Sequence, residues 1–81
     1  MHLEIITPDR KVFAGEVTSA QFPGAGGSFE VLNNHAPLIA ALRAGEVVVS
    51  GAGGREVFVI EGGVVEVLRN QVVVLAEGAS A

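Results

Sequence analysis

Two histidines, nine carboxylates and two glycine-rich stretches are the residues of this 81-residue chain that could support catalysis, metal binding or phosphate binding. A metal site needs three or four ligands at compatible spacing, and a nucleophilic triad needs a base beside its serine or cysteine. His2 is close to the terminus and His35 stands alone in "LNNHAPL". No cysteine is present, which removes thiolate ligands, thiol redox chemistry and disulfides together. The stretches "FPGAGGS" and "SGAGGRE" invite a phosphate-binding reading, because bare backbone N–H groups can cradle an anion. The P-loop pattern, however, requires a lysine and then a serine or threonine directly after its last glycine, at the mouth of a helix. The first stretch has no lysine, the second offers only Arg55, and both run into residues of β character. Catalysis, a metal centre, nucleotide binding and a bound cofactor are therefore not expected.

Composition narrows the partners. The formal net charge is −4, and the five cations, Arg10, Lys11, Arg43, Arg55 and Arg69, are scattered and form no basic stripe, so nucleic acid is not an expected partner. No apolar run approaches the roughly 18–20 residues of a membrane span, and "MHLEIITPDRK" has neither a charged leader segment nor an apolar one. The expectation is a cytosolic chain without direct membrane insertion, which meets a membrane only through a partner.

The elements that must position these residues read as β almost throughout. Short apolar, β-branched runs recur at "LEIIT", "VFAGEVTSAQF", "SFEVL", "PLIAAL", "EVVVS", "REVFVI", "VVEVL" and "QVVVLAE", separated by Gly, Pro or Asn. Fourteen valines and this turn spacing predict an all-β fold, a flattened antiparallel β-sandwich or barrel. About eight to ten short strands are expected, with residues 1–81 as a single domain. Pro23 and Gly24 suit a type II turn with positive φ at the glycine, and "SGAGGRE" reads as a hairpin loop between 47–49 and 57–60. Glu4, Glu46, Glu56 and Glu66 are expected in outward slots of strands. Three runs, "EVVVS", "VFVI" and "QVVVL", place apolar residues on both faces. Either a small, strongly coiled sandwich draws both parities into its core, or one sheet docks on another subunit.

Three segments in order resemble one family across nearly the whole chain, the N-terminal β-sandwich domain of the ATP synthase epsilon subunit. "LEIITPDRKVFAGEV" is similar to its opening strand, Thr/Ser-Pro turn and V-F-x-G-x-V second strand. "PGAGGSFEVLNNHAPLIAALRAGEVVV" resembles its G-x-x-G-x-F-G-V-L-P-G-H-A-P-L segment and L-x-x-G turn. "EGGVVEVLRNQVVVLAE" resembles its closing G-G-x-x-E-V-x-x-N-x-V-x-V-L-A. Glu30, Asn33 and Asn34 stand where the family usually has Gly, Pro and Gly, while His35, Ala36, Pro37 and Leu38 stand as expected. Asparagine tolerates positive φ, so Asn34 is expected to keep the glycine's conformation. Glu30 must face water or a partner's cation.

The resemblance implies a non-catalytic rotor component that clasps the gamma subunit and rests on the c ring. It would sit peripherally on the cytoplasmic face of the bacterial inner membrane and couple proton transport to ATP synthesis. It also implies that the loops carrying Gly26, Gly27, Ser28, Asn33, Asn34 and His35 face the c ring at one end of the sandwich, while the gamma contact is confined only to a broad sheet face. Members of the family carry a C-terminal helical hairpin. Here "AEGASA" follows the last run, and the expectation is a form lacking that hairpin, either naturally short or an excised domain. Within the loop, Pro37 pushes Ala36 toward extended geometry and His35 is expected to donate to a nearby carbonyl. Two other classes fit less well. A lipoyl or biotinyl carrier domain presents its lysine at a mid-chain hairpin, whereas the single lysine, Lys11, lies in "DRKVF". An oligonucleotide-binding barrel would display aromatics on a basic sheet.

Overall fold

The computed structural model describes residues 1–81 and contains ten strands and no helix. They are β1 (His2–Ile6), β2 (Lys11–Glu16), β3 (Ser19–Phe22), β4 (Phe29–Leu32), β5 (Leu38–Leu42), β6 (Gly45–Gly51), β7 (Gly54–Ile60), β8 (Gly63–Leu68), β9 (Gln71–Ala76) and β10 (Ala79–Ser80). Two five-stranded sheets pack face to face, sheet 1 in the order β2-β1-β9-β8-β5 and sheet 2 in the order β10-β7-β6-β3-β4. This is the expected sandwich. Seven of the eight strand pairs are antiparallel, and the exception is β1 against β9, which run parallel with His2 opposite Gln71.

The core lies between the sheets. Leu3, Ile5, Val65, Val67, Val72 and Val74 enter it from sheet 1, and Ala20, Phe22, Val31, Val47, Val49, Phe58 and Ile60 from sheet 2. Burial of each large apolar side chain contributes about 1.5–3 kcal/mol relative to leaving it in water. Inward and outward residues alternate strictly along β8 and β9, so the second parity of the valine-rich runs is not drawn into the core. The coiled-sandwich explanation of those runs therefore fails, and Val64, Leu68 and Leu75 stay on the surface.

Two sequence readings are corrected. The run "VFAGEVTSAQF" is two strands, one in each sheet, because the chain crosses between sheets at Val17 and Thr18 without any Gly, Pro or Asn. Backbone bonds from Val17 N to the Met1 carbonyl and from Thr18 N to the Ser50 carbonyl fix the crossing. Gly24 is not at positive φ; that conformation falls on Gly27, at φ 135°. Gly24 is needed for close approach, since a Cβ there would fall on the Gly27 carbonyl oxygen and 2.9 Å from the Phe29 ring. The second glycine stretch does form a hairpin, but its strands run further than expected, leaving only Ala52 and Gly53 as the turn.

The alternation of strands gives the sandwich two ends. One end gathers Met1, Val17, the 33–37 loop, the β6-β7 turn and the β8-β9 turn. The opposite end gathers the 7–10 turn, the 23–28 tip and the connections at 43–44, 61–62 and 77–78.

Candidate interaction surface

The 33–37 loop is built by its asparagines. Asn34 has φ 62°, as expected of a residue standing in for glycine. Its backbone N–H donates to Asn70 Oδ1 at 2.7 Å, and Asn33 Oδ1 accepts from the Met1 amino group, which also donates to the Val17 carbonyl at 2.9 Å. Asn70 lies in the β8-β9 turn, where Arg69 and Asn70 both have positive φ (52° and 60°), the pattern of a two-residue hairpin whose twist matches its strands. Two left-handed turns thus brace each other. Sequence reasoning broke the chain here, between "VVEVL" and "QVVVLAE", but did not foresee the left-handed conformation of Arg69 and Asn70.

His35 Nδ1 lies 2.7 Å from the Ala36 carbonyl oxygen, and since a carbonyl only accepts, this nitrogen is the donor. The backbone N–H of His35 donates to the Leu32 carbonyl at 3.2 Å. Its side chain has no carboxylate or hydroxyl among its hydrogen-bond partners, so the ring shapes the loop.

Gly26, Gly27 and Ser28 are exposed on the 23–28 tip, held by bonds from Gly27 N to the Gly24 carbonyl, Ala25 N to the Ala41 carbonyl and Arg43 N to the Pro23 carbonyl. The structure does not bring them together with Asn33, Asn34 and His35. The tip joins Phe22 to Phe29, which are paired, whereas the loop starts beside Leu32, which pairs with Ser19. The two sets sit at opposite ends of β4, some four residues or roughly 13 Å apart. The common end anticipated for them from sequence is a misplacement, because alternating strand direction puts consecutive loops at opposite ends. β4 is an edge strand, however, so one flank of the sandwich carries both sets.

Glu30 is exposed on that edge and lines an open cleft of about 490 Å³ with Arg43, Glu46, Phe29 and Val48 among its walls. Glu56 has the core parity of Phe58 and Ile60 yet is exposed near the β6-β7 turn, so its expected outward slot is corrected while its solvation holds.

The outer face of sheet 1 is apolar on one half. Across the strands, Ala41, Val64, Leu75 and Ile6 form one row, and Ile39, Glu66, Val73 and Glu4 the next. Ile39 is 72% exposed and Leu75 55%. On β1 and β2 the same face is charged, with His2, Glu4, Lys11 and Glu16 in contact. No group of three or more His, Asp or Glu side chains is arranged to hold a metal ion. No helix is long and apolar enough to cross a membrane. The arrangement offers contact surfaces.

Comparison with known proteins gives these surfaces a context. The family described as "ATP synthase, Delta/Epsilon chain, beta-sandwich domain" matches residues 1–81. The chain is 43% identical over 79 residues to an ATP synthase epsilon chain of Caulobacter vibrioides, covering 98% of this chain and 92% of that one. It is 39% identical over 80 residues to that of Rhodopseudomonas palustris, covering 99% of this chain but only 59% of the relative. Among solved structures, a chain of the Euglena gracilis mitochondrial ATP synthase, in an assembly of OSCP, F1 and c ring, superposes with a TM-score of 0.89 at 25% identity, over 96% of this chain and 51% of that one.

Proposed function

The chain belongs to the ATP synthase delta/epsilon β-sandwich family, and we propose that it serves as a central-stalk rotor subunit of a rotary ATP synthase, bridging the gamma subunit and the c ring to couple proton transport to ATP synthesis. The observation that carries this reading is the family match over the whole of residues 1–81 together with the superposition on a chain of an F1 and c-ring assembly.

The geometry suits a torque-bearing part. Two hydrogen-bonded sheets around one core form a single packed body, and it has outer surfaces to offer on two sides. In this reading the apolar half of the outer face of sheet 1 meets gamma, and the β4 flank meets the c ring. A contact running along β4 engages both Ser28 and Asn33; a contact through one end engages only one of them. The chain makes and breaks no bond itself and binds no nucleotide. It sits peripherally on the cytoplasmic face of the membrane through these partners.

Tagged protein returned to its own cell membranes tests the reading. Recovery of gamma and c subunits, and loss of proton-driven ATP synthesis in membranes stripped of the chain with restoration on adding it back, are expected. Unchanged synthesis after verified removal overturns it. Cysteines at positions 28 and 33, cross-linked in the assembled enzyme, decide the orientation: both reaching subunit c supports contact along the β4 flank, and one alone supports contact through an end.

A further inference from the structure

On the charged half of the outer face of sheet 1, four side chains form a ladder of alternating sign across β1 and β2. His2 Nδ1 lies 2.9 Å from Glu16 Oε2 and His2 Nε2 lies 3.0 Å from Glu4 Oε2. Lys11 Nζ lies 3.5 Å from Glu4 Oε1. The register explains the reach: His2 is the direct antiparallel partner of Glu16, and Glu4 is two residues further along the same strand and therefore on the same face. An ionised carboxylate only accepts, so satisfying both contacts requires both ring nitrogens to donate. Neutral imidazole carries a single N–H; imidazolium carries two.

We propose that His2 is a proton-operated clasp that fastens strand β2 to β1. Protonated, the ring bridges Glu16 to Glu4. When it releases its proton to solvent, one of the two carboxylates loses its donor and both lose their shared cation. The placement gives the clasp leverage, because β2 is an edge strand with β1 as its only partner in the sheet, and a bulge already interrupts their register between Ile5 and Ile6. At the His2 end, the clasp adds to the backbone ladder and to the bonds between Met1 and Val17 in holding β2 in place.

The surrounding charges favour the closed state. Glu4 faces the ring from β1 and Glu16 from β2, while Lys11 sits beyond Glu4 and the Met1 amino group lies 4.0 Å from Glu16. From β9 the neighbour of His2 is Gln71, which is neutral, and Arg69 on the adjoining turn forms no ion pair. The hydrogen bond to Glu4, followed by that to Glu16, holds the His2 ring above the ordinary histidine pKa. The hydrogen bond from His2 holds Glu4 below the ordinary glutamate value. A raised histidine contributes stability that is complete below its unfolded pKa and is lost as pH rises through the folded one. A depressed glutamate contributes stability present above its unfolded pKa and lost as pH falls through its folded one. The clasp is therefore closed in the window between the ordinary glutamate and histidine values, roughly pH 5 to 6, and opens as the pH climbs. This inference concerns the chain alone and does not rest on the rotor reading.

The test is a proton NMR titration of the His2 ring in the whole chain from about pH 5 to about pH 9, paired with urea denaturation and amide exchange over the same range. The His2 midpoint should lie above that of the same residue in the urea-unfolded chain, and should fall in both Glu4→Gln and Glu16→Gln. The denaturation midpoint should decline as pH rises through the titration, and this decline should vanish in His2→Gln. Protection factors in β2, taken relative to the intrinsic exchange rate at each pH, should fall over the same interval while those in β6 and β7 hold. A His2 midpoint at or below the unfolded one, a midpoint unmoved in both glutamine variants, or an unchanged pH slope in His2→Gln overturns the clasp.

Discussion

The two ends of the sandwich are closed by opposite means. At the end that carries the 33–37 loop, side chains stitch the turns: Asn33 takes a bond from the Met1 amino group, Asn70 from Asn34 N, and Thr18 Oγ1 donates to the Ser50 carbonyl at 3.1 Å. At the tip end, apart from the Thr7 turn, closure is backbone to backbone, with Glu61 N bonded to the Gly78 carbonyl and Glu77 N to the Gly62 carbonyl, both at 3.0 Å. There the critical residues are those without a side chain. A Cβ at Gly63 would overlap the Leu75 carbonyl oxygen and lie 2.9 Å from Ala76 Cα, and its φ of 151° adds strain. The stitched end thus leans on side chains that are present, and the tip end on one that is absent at Gly63, so a glycine-to-alanine change should differ in cost between Gly63 and Gly53.

The largest effect is expected where a Cβ has no room. Gly63→Ala should cost about 3 kcal/mol or more, through overlap and left-handed strain together. At the stitched end Gly53→Ala should be nearly neutral, because nothing lies within 4 Å of the added carbon. Urea midpoints at constant slope measure both, and comparable losses at the two glycines would erase the contrast. A middle-sized effect belongs to Asn34. Asn34→Val should cost roughly 1–2 kcal/mol because a β-branched residue is strained at positive φ, whereas Asn34→Gly should be neutral or mildly stabilising. Should valine be tolerated, the loop is not held by backbone conformation. The smallest effect is predicted for His35→Gln. Glutamine keeps a donor at similar reach, so stability should change by no more than about 0.5 kcal/mol and coupling activity should survive. Lost coupling with an intact fold would mean that the ring acts on a partner directly.

The stitched end was the more legible of the two from sequence, because its logic is written in residue types. Asparagine in a glycine's place predicted the positive φ at Asn34, and "HAP" predicted a ring that serves its own loop. The class of fold was legible for a similar reason, since runs of valine between turn residues have few other solutions. Less was visible where the decisive fact is a distance between segments far apart in the chain. Gly63 is a glycine because of the backbone of Leu75 and Ala76 on the neighbouring strand, and no local pattern states that. The crossing at Val17 was hidden because a strand can change sheets without any turn residue to mark it. The grouping of Ser28 with His35 at one end was carried over from the family resemblance, whereas the ends at which the two loops lie are set by the direction of β4. His2 was set aside as a terminal histidine, and only the register of β1 on β2 reveals the two carboxylates around it.

The parallel pairing of β1 with β9 also sets the timing of assembly. Translation delivers the chain from its first residue onward, so the hairpin of β1 and β2 emerges early, yet one long edge of β1 stays unpaired until Gln71 and its successors have left the ribosome. Sheet 1 cannot be completed in order of synthesis; it closes around a strand that has waited longest. Pairing of such distant segments is slow, because the loop must close before any contact rewards it. During that interval Leu3 and Ile5, buried at the end, are exposed. Until β9 pairs with it, the open edge of β1 is a template on which another chain could pair.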